Sequence, residues 1–148
     1  MPPTLIARLP LEPLQLTRLQ DILARGILAL FAGQRDALTR DGAPANPKAV
    51  VDSVEGIHGA AYGMAAALGA AAAGADGLQV QHWERYGRAL GAVHQLREPA
   101  QSGALQALGE ADVLEARIAT ALEALEATEA REPARSHLVA LVRDVPIA

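Results

Sequence analysis

Chemistry at neutral pH needs side chains that exchange protons, attack as nucleophiles or hold metals. In this chain the four histidines, His58, His82, His94 and His137, come first, because there is no cysteine. Their spacing contains no H-E-x-x-H, and no Ser-His-Asp arrangement can be argued from their positions. His82 and His137 read as solvated surface residues. His94 stands four residues before Glu98, so on a helix the two share a face and can pair or hold a metal weakly, and pairing is the expectation. The lack of thiols excludes disulfides, thiolate zinc sites and cysteine nucleophiles.

The elements that must position these residues all read as helices. Pro10 and Pro13 open the first, in which Leu16, Leu19, Leu23, Ile27, Leu30 and Phe31 recur at helical spacing up to about Thr39. Leu14, Ile22 and Leu28 widen its apolar arc, which predicts packing on several sides. After the break "RDGAPANPK", Asn46 can cap and Pro47 can start a second helix from about 47 to 73. Its later half, Gly59 to Ala73, is almost all small residues, so it should be central and closely packed. "GADG" ends it and Asp76 can cap a third helix, 78 to 98, that Pro99 stops. "PAQSGAL" then reads as a loop or short turn. A fourth helix, Glu110 to about Arg131, sets Leu114, Ile118, Leu122 and Leu125 against Glu115, Glu123, Glu126 and Glu129. Glu132 and Pro133 open a short last helix carrying Leu138, Val139, Leu141 and Val142. The fold class is all-α, a bundle of about five helices in one domain over 1–148.

Composition agrees and removes several functions. Half the residues are apolar but only 3% are aromatic, so the core must be Ala, Leu, Val and Ile. A net charge of −4, with Lys48 the single lysine beside twelve arginines, gives no basic footprint for nucleic acid. The uncharged stretch "GIHGAAYGMAAALGAAAAGA" has too little Leu, Ile or Phe to make a good membrane span. The amino terminus, interrupted by prolines, does not read as a signal peptide, and a cytoplasmic protein is the expectation.

Three stretches carry a resemblance. "YGRALGAVHQL" matches the pattern Y-G-x-x-L-G-x-x-F-Q-I at Tyr86, Gly87, Leu90, Gly91 and Gln95, with His94 in place of Phe and Leu96 in place of Ile. "LGAAAAGAD" is similar to L-G-A-x-x-A-G-A, and "FAGQRDAL" to G-Q-x-x-D-L, with Asp36 one position early. In order and spacing the chain resembles the carboxy-terminal half of the trans-isoprenyl diphosphate synthases, also called polyprenyl synthetases. The resemblance implies a remnant ligand side at Gln34, Asp36, His58, His94, Gln95 and Glu98.

Departures from that family bear on activity. Its two Asp-Asp-x-x-Asp-type motifs hold magnesium ions that grip an allylic diphosphate and help it ionise. Where the second motif belongs, this chain has Glu98, Pro99 and Ser102, one carboxylate in place of three. The first motif belongs to an amino-terminal half to which nothing in these residues corresponds. The Lys-Thr pair that contacts diphosphate falls on Ile57 and His58 or on His58 and Gly59, depending on register. A diphosphate needs several positive charges to offset its own, and Glu98 beside a helix-ending proline cannot assemble that cluster. No catalytic residue, resident metal or cofactor is therefore assigned: Glu98 is a weak metal candidate, and magnesium would enter only with residual diphosphate binding.

The resulting expectation is a catalytically inactive isoprenyl-synthase-like protein. It would act as a homo-oligomer or as a non-catalytic subunit of a full-length isoprenyl diphosphate synthase, with the apolar arc of the first helix as the suspected surface. Two alternatives remain open: a helical protein binding an isoprenoid or other lipid beside its small-residue helix, or half of a split prenyltransferase.

Overall fold

A computed structural model describes residues 10–39, 47–98, 106 and 109–143. These residues form an all-helical bundle, with no strand among them. Helix α1 spans Pro13–Leu38. Helix α2 runs Pro47–Val54, passes through a π-helical turn Glu55–Gly59 and continues as Ala60–Ala72. Helix α3 is Gly77–Leu96, α4 is Glu110–Glu126 and α5 is Ala134–Arg143. Asn46 and residues 99–105, Pro99 and Ser102 among them, lie outside the described residues.

Helix α2 sits between α1 and α3, and α3 also packs against α4, which carries α5 at its end. The first four helices run antiparallel to their neighbours: Gln15 meets Ala71 and Gly33 meets Gly56, Gly63 meets Glu84 and Gly91 meets His58, and Gln79 meets Ala127 while Leu96 lies with Leu114. Three apolar clusters hold them. Leu19 and Ile22 of α1 meet Ala67 and Ala71 of α2 and Val80 of α3. Val51 and Val54 meet Ala92 and Leu96, and Tyr86 and Ala89 meet Ala121, Ala124, Leu125 and Val142. Alanine recurs in these clusters beside larger residues, a small side chain that lets neighbouring axes approach.

The helix ends follow local chemistry. Gly74 adopts a positive φ of 84°, and the Gly74 and Ala75 amides return to the carbonyls of Ala71 and Ala70, a Schellman stop for α2. The carboxylate of Asp76 accepts the Gln79 amide at 2.8 Å and caps α3 as the sequence predicts. Helix α3 ends at Leu96, two residues short of the predicted Glu98: Arg97 closes its last turn, and Glu98 is a bend residue. The residue preceding a proline is driven out of helical geometry, which accounts for the early stop.

Side chains of neighbouring helices finish other ends. Gln15 Nε2 donates to the Ala71 and Ala72 carbonyls and Arg18 to that of Ala75, so α1 covers the carbonyl end of α2. Helix α4 stops at Glu126, short of the predicted Arg131, for a similar reason. Gln79 Nε2 and His82 Nδ1 both donate to the Ala127 carbonyl, and the Glu129 amide donates to Gln79 Oε1. His82 is thus half-buried and bonded, not a merely solvated residue.

No described helix is long and apolar enough to cross a membrane.

Candidate functional site

In the stretch 86–96, which carries the strongest of the three matched patterns, Tyr86, Gly87, Ala89, Gly91, Ala92, Val93 and Leu96 are buried in packing, while Arg88 and His94 are exposed. Facing glycines on α2 and α3 interlock, Gly59 and Gly63 against Gly87 and Gly91, each pair four residues apart on its helix. A Cβ at Gly87 would lie 2.5 Å from the Tyr62 carbonyl oxygen and 2.8 Å from Ala66 Cβ. At Gly91 it would lie 2.5 Å from the His58 carbonyl oxygen, and at Gly59 3.2 Å from that of Arg88. Distances below 3 Å are closer than side-chain carbons tolerate, so the two backbones approach only because no side chain separates them. A similar approach joins α1 to α2, where a Cβ at Gly33 would meet the Gly56 carbonyl oxygen at 2.5 Å.

Tyr86 closes this arrangement on the other side of α3. It is 3% exposed, lies edge-on to Trp83 at 5.8 Å, and its hydroxyl donates to the Leu138 carbonyl at 3.0 Å, tying α5 to α3. Burial pushes its phenol up from 10.0 to about 12 by disfavouring the charged form.

The six residues of the implied ligand side are spread over the end of α1, the π-turn of α2 and the end of α3. Gln34 and Asp36 are exposed on α1, and Asp36 accepts from Arg35 at 2.9 Å. His58 lies half-buried in the π-turn, with its carbonyl against Gly91. His94 is exposed and stacks obliquely near Tyr62, ring centroids 6.0 Å apart. No ion pair joins His94 to Glu98 among the described residues, because α3 ends at Leu96 and Glu98 no longer sits one turn above His94. Gln95 is half-buried and Glu98 exposed. No three His, Asp or Glu side chains among the described residues gather closely enough to hold a metal ion.

One of the six, Asp36, lines a groove. It is open, about 650 Å³ in volume, and bordered by Ala29, Gly33, Asp36, Asp52, Gly56 and Arg88 among others. Asp52 pairs with Lys48 at 2.7 Å and Arg88 with Glu84 at 3.2 Å. Two carboxylates against one already paired guanidinium make a poor seat for a diphosphate, whose charge would need the opposite balance.

A second concavity, about 250 Å³, gathers what the sequence does not advertise: Arg85, Arg88, Arg117 and Glu55 above Ala89 and Ala92. Arg117 bonds Glu55, and Arg85 reaches Glu123 at 3.3 Å. Every arginine here has a carboxylate partner, so the cluster is a charge-balanced clamp between α2, α3 and α4. These residues come from three helices, and only an i, i+3 spacing of Arg85 and Arg88 hinted at them.

The outer side of α1 is the remaining feature. Leu14, Leu28, Phe31 and Leu38 are 82%, 68%, 65% and 70% exposed, and Phe31 is the single phenylalanine of the chain. The predicted packing on several sides is met on the inner side alone, by Leu19, Ile22 and Leu23, among the described residues.

No family model matches the chain, and no curated protein or solved structure matches it either.

Proposed function

We propose that this chain is a non-catalytic helical protein, resembling the carboxy-terminal half of the isoprenyl diphosphate synthases, that works by association through the outer side of α1. The observation that carries the reading is the row of large apolar side chains on that helix, each more than half exposed although smaller ones elsewhere are buried completely. Water-exposed apolar area of this kind is costly in isolation and stabilising once covered, so a self-complex or a full-length isoprenyl diphosphate synthase are the partners to test.

Two features support the non-catalytic part. Glu98 stands outside the helix that would have to present a metal-binding carboxylate set, and the groove containing Asp36 carries the wrong charge for a diphosphate. The lipid-binding alternative finds less support, because the small residues of α2 meet helix backbone where a lipid would have to lie.

The test combines native mass with turnover. The chain is measured alone and mixed with a full-length synthase, and each sample is supplied with magnesium, isopentenyl diphosphate and an allylic diphosphate. Expected are a complex larger than one chain and no product from the chain alone. Prenyl product from the isolated chain would overturn the reading.

A further inference from the structure

The exposed residues of α1 follow a heptad. Leu14, Asp21, Leu28 and Arg35 recur every seven residues, Thr17, Ala24, Phe31 and Leu38 form the companion series, and all eight are exposed. The buried residues Leu19, Ile22 and Leu23 lie on the opposite side, so this is a second seam. Its large apolar members are Leu14, Leu28, Phe31 and Leu38, and exposed large apolar side chains at heptad spacing suit packing against another helix.

The charges in the seam decide which helix. Asp21 lies seven residues before Leu28 and Arg35 seven after, each about 10 Å from it along the axis. Parallel pairing of two copies would set Asp21 on Asp21 and Arg35 on Arg35, like charges at the seam. Antiparallel pairing about Leu28 sets Asp21 of each copy, which bonds Arg25 at 3.0 Å within its own helix, across from Arg35 of the other, which bonds Asp36 at 2.9 Å, so the contact between copies forms by exchange of partners. Four residues from the same centre, exposed Ala24 falls opposite exposed Ala32, which lets the axes approach. Three residues from it, Phe31 falls opposite Arg25, whose guanidinium bonds Asp21 of its own helix at 3.0 Å and would have to turn to meet the ring. The stripe is therefore complementary to itself, as a two-fold interface must be.

From this geometry we infer that α1 pairs antiparallel with α1 of a second copy, around a two-fold axis at Leu28 and with Asp21 facing Arg35. The inference rests on the association reading above and names its partner and register. One helix per copy makes an interface at the small end of the known range, so the dimer forms and dissociates with concentration.

The test uses the full chain, and the absence of cysteine makes the parent protein its own blank. Sedimentation equilibrium over a wide concentration range should show a monomer–dimer equilibrium. Asp21→Arg or Arg35→Asp alone should weaken it about tenfold or more, and the two together should restore it. Under mild oxidation Leu28→Cys should cross-link two copies, while Leu38→Cys should not, because in this register its two thiols stand about 30 Å apart. Circular dichroism confirms that each variant is folded.

A monomer at every concentration, a double reversal that fails to restore pairing, or equal cross-linking at both cysteine positions each overturns the inference. If the chain is monomeric yet loses binding to a full-length synthase on Phe31→Ser, the inference fails and the association reading stands. If Phe31→Ser alters neither self-association nor synthase binding, both fail.

Discussion

The seam between α2 and α3 and the outer stripe of α1 are both helix faces with regular spacing, made from opposite side chains. In the seam the repeating residue is glycine, and a Cβ at Gly87 or Gly91 would sit 2.5 Å from a carbonyl oxygen. On the stripe the repeating residues are Leu28, Phe31 and Leu38, with most of their surface in water. Small residues commit a face to one neighbour at one distance, because nothing else fits. Large exposed ones leave the face unspent. The lesson concerns where a change can be absorbed: the seam has no slack, and the stripe is all slack until something covers it.

Three substitutions sharpen that contrast. The double change Gly87→Ala with Gly91→Ala should cost most, about 3 kcal/mol or more, read as a fall in the urea midpoint at unchanged slope. A loss under about 1 kcal/mol would mean that the backbones are not in contact. Tyr86→Phe comes next. It leaves the ring in its cluster but removes the hydroxyl's bond to the Leu138 carbonyl, and about 1 kcal/mol should be lost. The same residue gives a pH signature. Its folded value is raised to about 12 from 10.0, so the folded state holds the proton more tightly than the unfolded one. That stability is fully present below pH 10 and is lost as the pH rises towards 12. Melting temperatures measured through this window should fall more steeply for the parent chain than for Tyr86→Phe. Smallest is Phe31→Ser, which should change the stability of the dilute chain by no more than about 0.5 kcal/mol. A larger loss would show that Phe31 already has a partner within its own chain.

Helices were legible wherever local signals governed them. Pro13, Pro47, Gly74 and Asp76 mark ends that the structure keeps, and the stripe Leu114, Ile118, Leu122 and Leu125 belongs to one helix as its spacing requires. The end of α4 was not legible, because its carbonyls are claimed by Gln79 and His82, more than forty residues away in sequence. Nor was the π-turn at Glu55–Gly59, since no residue type there announces an extra residue in the turn. For the site, the pattern at 86–95 read as a ligand-bearing signature. Its Tyr, Leu and two Gly are the same residue types that close helix packing demands, so sequence alone could not separate the two uses. The outer stripe was half legible: the breadth of the apolar arc was plain, but which part faced water depended on how α2 docked.

The attachment of Gln15 and Arg18 to the carbonyls of Ala71, Ala72 and Ala75 has a consequence for motion. The first turns of α1 and the last turn of α2 share hydrogen bonds that neither can keep without the other. Fraying at one end therefore exposes unpaired carbonyls at its neighbour, and the two ends open as one cooperative unit. If α1 engages a second molecule, the added rigidity is felt at Gly74, in the turn between α2 and α3, and not along the outer stripe alone.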